Sequence, residues 1–407
     1  MVQLRLRADV QSAGSRYLDA RIFLLSGALF ATSTDALVVV GILPLIAADI
    51  NADPGAIGQM LTVYMVTFAI GSPILTVAFA NWRRDMLIAA SLLVFSAAAF
   101  ASALAPGFIE LLGLRVVAAC CSAIYVPLAF AAVTDLSPAD RRSTGLAIAT
   151  LGLVGSQLIG VPLSTWIGQA FGWRAAFALD GCLVLSIALA FGLRRSPPLQ
   201  ETSSLPNLRA RISPLGNAVI LRAVLPVLFW GMGFGIIYSY CAVLLGPKVG
   251  FEKVPLLLVS AGFGGVVGSQ ITSRITDRFG PVAPIIGFVS LNAANIAMLN
   301  WSSESFAGAA AAMFILTFCH WGIFIPQQTR LLAIEPIHGP TVLSLSNSVI
   351  YLGMGAGAAI GAALVSHQWL AALSYTGAGA YLLALACFLR SLRLDDRPRA
   401  CSPSRPV

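Results

Sequence analysis

Apolar stretches recur along this chain, separated by short clusters of charged and turn-forming residues. A helix that crosses a bilayer needs about 20 consecutive apolar residues. Runs of that length predict twelve spans, near 22–47, 56–80, 86–106, 108–133, 145–169, 175–193, 223–246, 255–273, 281–301, 305–328, 341–365 and 369–389. The short alternating segments that a closed barrel requires are absent. The expected fold is an all-α polytopic membrane protein.

Composition agrees with the pattern. Of 407 residues, 58% are hydrophobic and 10% charged, against about 25% charged in an ordinary soluble domain. A soluble fold cannot hide that much apolar surface, so lipid is the solvent for most of the chain. Twelve spans place both termini on one side. That side has 21 Lys and Arg residues, including Arg5, Arg7, Arg16 and Arg21, the pairs Arg83–Arg84 and Arg141–Arg142, and Arg390 and Arg393. The other side has Arg174, Lys248 and Lys253. The positive-inside rule then predicts cytoplasmic N- and C-termini in a cell membrane. Loop topology and anionic headgroups account for the net charge of +8, so no nucleic-acid partner is implied. Six of the seven cysteines fall in spans and no Cys-x-x-Cys occurs. Neither a disulfide framework nor a metal site is expected.

The long polar stretch Arg194–Arg222 divides the spans into two groups of six. The organisation read from this is a first half over 1–193, a cytoplasmic linker over 194–222, a second half over 223–390 and a tail over 391–407. The halves echo each other. Gly71-Ser72 meets Gly268-Ser269, 197 residues on; Val126-Pro127 meets Ile325-Pro326, 199 on; Trp173 and Ala175-Ala176 meet Trp369 and Ala371-Ala372, 196 on. Six spans per half make the repeats parallel, with a central cavity that rocking exposes to either side.

Several motifs resemble the major facilitator superfamily, and within it the bacterial twelve-helix drug/proton antiporters and sugar-efflux proteins. They are Ser33-Thr34-Asp35 through Gly41 and Pro44, then Gly58-Gln59-x-x-Thr62-x-Tyr64, Leu114-Arg115 with Pro127, Gly160-Val161-Pro162-Leu163, and Gly172-Trp173-Arg174-x-x-Phe177. The loop between the second and third helices of that family usually has an acid before its basic pair. Here Ala78–Trp82 lacks the acid and Arg83-Arg84 remains, whereas the second copy keeps Asp277-Arg278. The resemblance implies that Arg83, Arg84, Asp277 and Arg278 belong to gating loops.

Asp35 is the single charge between Ile22 and Ala48. A carboxylate at bilayer depth costs roughly 2.5–3.5 kcal/mol on insertion scales, so a retained one marks function or pairing. At about 1.5 Å per residue, Asp35 lies ~21 Å up helix 1. Arg115, entering helix 4 from the other side, falls ~22 Å above the same surface of a ~30 Å core. The two charges are therefore expected to meet. The pair is either a structural tie between two helices or a proton switch, because burial favours the neutral acid and a guanidinium favours the carboxylate. The resemblance implies the second role for an acid in helix 1 and an arginine in helix 4. Asp180, about two turns into helix 6, is a rival proton-coupling acid.

Helices 1, 4, 7 and 10 line the cavity of that fold. Candidate substrate-cavity residues are Thr32, Ser122, Tyr125, Trp230, Tyr238, His320, Gln327 and Gln328, with Asn347 on helix 11. A mixed aromatic and amide lining suits an amphipathic molecule of moderate size. No Walker loop is present, so the expected energy source is a proton gradient with no cofactor. The expected partners are a small-molecule substrate, protons and the lipid bilayer, with a monomer as the working unit. The reading is a proton-coupled exporter of a drug, antibiotic, sugar or nucleoside; a proton symporter importing a metabolite is the alternative. An enzyme or sensor would need paired catalytic groups or a soluble domain. His320, His338 and His367 are far apart in sequence, so the chain is not expected to be an enzyme.

Overall fold

The computed structural model describes residues 19–193, 216–336 and 338–395, which form helices joined by short turns, with no strand among them. The first half consists of α1 (Ala20–Asp49), α2 (Pro54–Ala78), α3 (Arg84–Leu104), α4 (Phe108–Leu136), α5 (Arg142–Phe171) and α6 (Trp173–Leu193). The second consists of α7 (Ala218–Val249), α8 (Val254–Phe279), α9 (Val282–Ala297), α10 (Phe306–Ile334), α11 (Gly339–Ser366) and α12 (Leu370–Asp395). Eleven of these are long and apolar enough to cross a membrane. The shorter α9 has 16 residues and is extended by the turn Leu299–Ser302. Residues 194–215 of the predicted linker and 396–407 of the predicted tail lie outside the described residues. Ala218–Arg222, read as linker, instead open α7, where Asn217 caps Val219 N–H at 2.9 Å.

Side chains and turn glycines fix the helix ends. Asp53 caps Ala56 N–H ahead of Pro54, and Ser305 caps Gly308 N–H, each at 3.1 Å, satisfying donors that helix starts leave open. Gly172 and Gly250 take φ of +90° and +95° at two of the tight turns, which a side chain would disfavour.

Helix neighbours repeat between the halves. In the first, α1 packs on α5 and α6, α2 on α4, and α3 on α4 and α6. In the second, α7 packs on α11 and α12, α8 on α10, and α9 on α10 and α12. Adding six to each helix of the first set gives the second set. The halves meet through α2 on α11 and through α5 on α8, contacts that the same exchange converts into each other. Two parallel repeats about an axis along the bundle give this pattern.

Close approach rests on glycine. Gly353 and Gly357 of α11 lie against the α7 backbone at Leu228 and Met232. Gly355, two residues away and so on the opposite face, lies against Val66 of α2. Small residues let helices approach closely where lipid offers no hydrophobic drive for packing.

The halves are also bonded where α1 ends. There Gln169 Nε2 donates to the Phe251 carbonyl at 2.7 Å, and Ser366 donates to Asp53. Tyr240, at the break inside α7, is buried; its hydroxyl donates to the Ala358 carbonyl at 2.8 Å, and its ring fills the space over Gly58 and Gly361. Deeper in the bundle, Trp321 Nε1 donates to Gln157 Oε1 at 3.0 Å.

Candidate functional site

Asp35 on α1 and Arg115 on α4 meet inside the first half, with side-chain exposures of 0% and 1%. Arg115 Nη1 donates to Asp35 Oδ2 at 2.8 Å and to the Asp35 carbonyl at 3.2 Å, while Nη2 donates to Oδ1 at 3.2 Å. The contact is thus a two-pronged guanidinium–carboxylate bond, the geometry for which arginine is suited and lysine is not. Phe177 of α6 covers the guanidinium, its ring centre 4.7 Å away. Depth along each helix was enough to anticipate the meeting.

Asp180 of α6 joins the same cluster instead of forming a separate site. It is fully buried, and both Asp35 and Arg115 bear on it electrostatically. One carboxyl oxygen lies 3.5 Å from Ser164 Oγ; the other has no hydrogen-bond partner, and neither does Arg115 Nε. Ser164 is delivered by α5, whose middle turn, Ser156–Gly160, is a π-helix. That turn shifts the helix face by one residue, a device frequent at functional sites. Thr34 of α1 seats against Gly160, and Thr165 of α5 against Gly41, which brings the two helices together. Sequence reasoning placed Gly160 and Pro162 in a family motif but missed Ser164, Gln157 and the π-turn. Hydrogen-bond register leaves no mark in residue pattern.

Other candidates on α1 and α4 spend their polar atoms on neighbours. Thr32 Oγ1 donates to the Ala28 carbonyl at 2.8 Å, and the Tyr125 hydroxyl to the Leu25 carbonyl at 2.7 Å. Ser122 accepts from the hydroxyl of Tyr64 on α2 at 2.7 Å. Tyr64 lies within the electrostatic reach of Asp35 and Arg115; the sequence placed it in a motif without assigning it to the site.

In the second half, Trp230, Phe234 and Tyr238 recur one turn apart on α7, and His320 enters from α10. The His320 ring stacks on Phe234 with centres 3.9 Å apart and lies 4.9 Å from Trp230; Phe234 stacks on Tyr238 at 4.8 Å. Trp230 Nε1, the Tyr238 hydroxyl and His320 Nδ1 are all buried without a hydrogen-bond partner. Gln327 is committed to the Ala223 carbonyl at 2.8 Å, whereas Gln328 reaches the exposed Asn347 at 3.5 Å. The aromatic set and the charge cluster belong to different halves, which Phe68 and Tyr351 bridge with ring centres 4.4 Å apart.

The loop residues are remote from both clusters. Arg83 pairs with Asp85 at 2.8 Å, and Arg84 with Asp135 at 2.9 Å, tying the start of α3 to the end of α4. Asp277 and Arg278 are exposed at the end of α8, with the Arg278 guanidinium 5.3 Å from the Phe279 ring centre. No group of three or more His, Cys, Asp or Glu able to hold a metal occurs among the described residues.

Two parallel six-helix repeats with buried charges at mid-depth define a multi-span membrane transporter. The Major Facilitator Superfamily model matches residues 24–333, and the chain belongs to that superfamily, whose members transport solutes and are not enzymes. It is 25% identical over 384 residues to the MFS-type transporter YbcL of Bacillus subtilis, covering 93% of this chain and 97% of that one. It is 24% identical over 376 residues to the inner membrane transport protein YdhP of Escherichia coli, covering 91% and 94%. Among solved structures, the nucleoside transporter NupG superposes with a TM-score of 0.77 at 10% identity, covering 91% of this chain and 98% of that one. A bacterial homologue of the human lysosomal transporter Spinster superposes with a TM-score of 0.72 at 18% identity, covering 93% and 98%. At these identities the structures share a fold with this chain.

Proposed function

We propose that this transporter is a proton-coupled antiporter that exports a small amphipathic molecule across a bacterial inner membrane by alternating access. The observation that supports it most is the buried Asp35–Arg115 pair with Asp180 beside it. Three ionisable groups at that depth are costly to insert, and together they form a site whose proton occupancy depends on which side reaches it. The second half supplies a complementary surface. Stacked rings of Trp230, Phe234, Tyr238 and His320 offer flat apolar faces, and their unpartnered polar atoms offer hydrogen bonds to a solute that enters. Protons are handled in one half and substrate in the other, with the Phe68–Tyr351 contact between the halves.

Orientation follows from charge. With 21 basic residues on one side and three on the other, both termini face the cytoplasm. The inner-membrane location also accords with similarity to the inner membrane transport protein YdhP. Substrates of the drug, antibiotic, sugar or nucleoside classes fit the lining, and a chain of this kind would act as a monomer.

Everted membrane vesicles loaded with a pH-sensitive dye test the reading. Ethidium, chloramphenicol, lactose and uridine are added in turn after a proton gradient is imposed. At least one compound is expected to release protons from wild-type vesicles and to accumulate only while the gradient stands. Accumulation that persists after the gradient is collapsed would overturn the antiport reading.

A further inference from the structure

Two acids lie within the electrostatic reach of one arginine in the charge cluster, and the geometry treats them differently. Both oxygens of Asp35 are held by the Arg115 fork, and its own carbonyl is held as well. Asp180 has one oxygen at 3.5 Å from a serine hydroxyl and one oxygen with no partner. The remaining guanidinium donor, Arg115 Nε, is also buried without a partner. A buried carboxylate without donors is far costlier than a buried carboxylic acid, whereas a carboxylate gripped by a guanidinium is compensated. Charge balance leads to the same assignment: Asp35 and Arg115 neutralise each other, and a second anion would leave the cluster with a net charge in a fully buried place.

We propose that Asp180 is the group of this cluster that holds the proton, and that Asp35 remains ionised as the fixed partner of Arg115. Asp35 from α1 and Arg115 from α4 act on Asp180 electrostatically, and Ser164 from α5 donates to it at 3.5 Å. From α3, Phe100 packs on Gly181 and Ser96 donates to the Gly181 carbonyl at 2.9 Å. When Asp180 gives its proton to water, the new carboxylate and the free Arg115 Nε become a complementary pair. Arg115 is then drawn toward α6, and its grip on α1 loosens. Loss of one proton thereby changes the forces between α1, α4 and α6. The transport role of this proton rests on the antiport proposed above; its residence on Asp180 does not.

Infrared spectroscopy of the full-length protein in liposomes, without any substrate, reads the proton directly. Carboxyl groups in water are ionised at pH 7, so a protonated-carboxyl band at that pH reports a buried acid. The wild type is expected to show such a band, sensitive to deuterium exchange, that disappears as pH is raised. Asp180→Asn should lack it, and Asp180→Glu should restore it at a displaced frequency. Circular dichroism of each variant establishes that the helices are intact. A wild type without the band, or an Asp180→Asn protein that retains it, overturns the proposal. Failure of the antiport reading would appear in the vesicle assay instead and would leave this band unchanged.

Discussion

Removing both acids from the charge cluster should cost far more stability than the two single losses combined. In Asp35→Asn, Arg115 loses its two-pronged partner, and an uncompensated buried charge costs about 3–5 kcal/mol. Asp180 is close enough to bear on the same guanidinium and can ionise in place of Asp35. The single variant then loses only a charge-assisted hydrogen bond, about 1.5–3 kcal/mol. Asp180→Asn replaces a neutral acid by a neutral amide of the same shape and should cost about 1 kcal/mol or less. With both acids gone nothing compensates Arg115, and the full ~3–5 kcal/mol returns in addition to the amide's small cost. The expected coupling between the substitutions is about 2 kcal/mol, within the range for residues of one ionic network. Unfolding of the purified proteins in mixed detergent micelles, followed by helical circular dichroism, measures all four corners of the cycle. If the double variant equals the sum of the singles within about 0.5 kcal/mol, Asp180 does not stand in for Asp35 and the shared-arginine argument fails.

The remaining predictions concern the seams around the cluster. Gly58→Val places a side chain where the Tyr240 ring sits; in a cysteine-free background, maleimide labelling of a cysteine at the buried Ala362 should rise several-fold, and unchanged labelling would refute the idea that the Tyr240 ring seals the seam beside it. Tyr125→Phe removes one hydrogen bond between α4 and α1, so it should cost about 1 kcal/mol in the same micelle assay and leave vesicle transport intact. Trp321→Phe removes the bond to Gln157 between the halves, so the same maleimide labelling at position 362 should rise, and unchanged labelling would refute a role for that bond in holding the halves together.

The spans were legible because the apolar runs that define them are bounded by charges and turn residues. Arg84, Trp173 and Gly339 each open a helix within a few residues of its expected start. The Asp35–Arg115 contact was legible for a related reason: depth along a spanning helix is fixed by counting residues from its end. Lateral position is not fixed that way. Asp180 could be given a depth but not a lateral position, and the packing of α6 on α1 and α3 brings it within electrostatic reach of Arg115. The π-turn of α5 was hidden for a similar reason, since Ser156–Gly160 differs from an α-helix in which carbonyl each N–H finds. Tyr240 was hidden because the break of α7 falls inside a continuous apolar run, so nothing in composition separates Tyr238 from Cys241.

The placement of the charges within one half bears on how the protein can cycle. Asp35, Arg115, Asp180, Ser164 and Phe177 all belong to α1, α4, α5 and α6. If the halves rock against each other as rigid units, none of these contacts has to break. The contacts that must break to open the end where α1 finishes are those between halves: Gln169 with Phe251, Asp53 with Ser366, and Tyr240 over Gly58. The first two are single hydrogen bonds, about 1–3 kcal/mol each, and the third is a ring against glycine, so the closed end is held by several separate ties. A strong ion pair across the halves would have made one state too deep to leave. Under the proposed proton coupling, a strong pair kept inside one half would let a proton alter local forces on α1 and α6, while the seam between the halves would set which side is open. In the second half the side chains of Trp230, Phe234 and Tyr238 are uncharged, so the surface they form presents rings and single polar atoms instead of an ion pair.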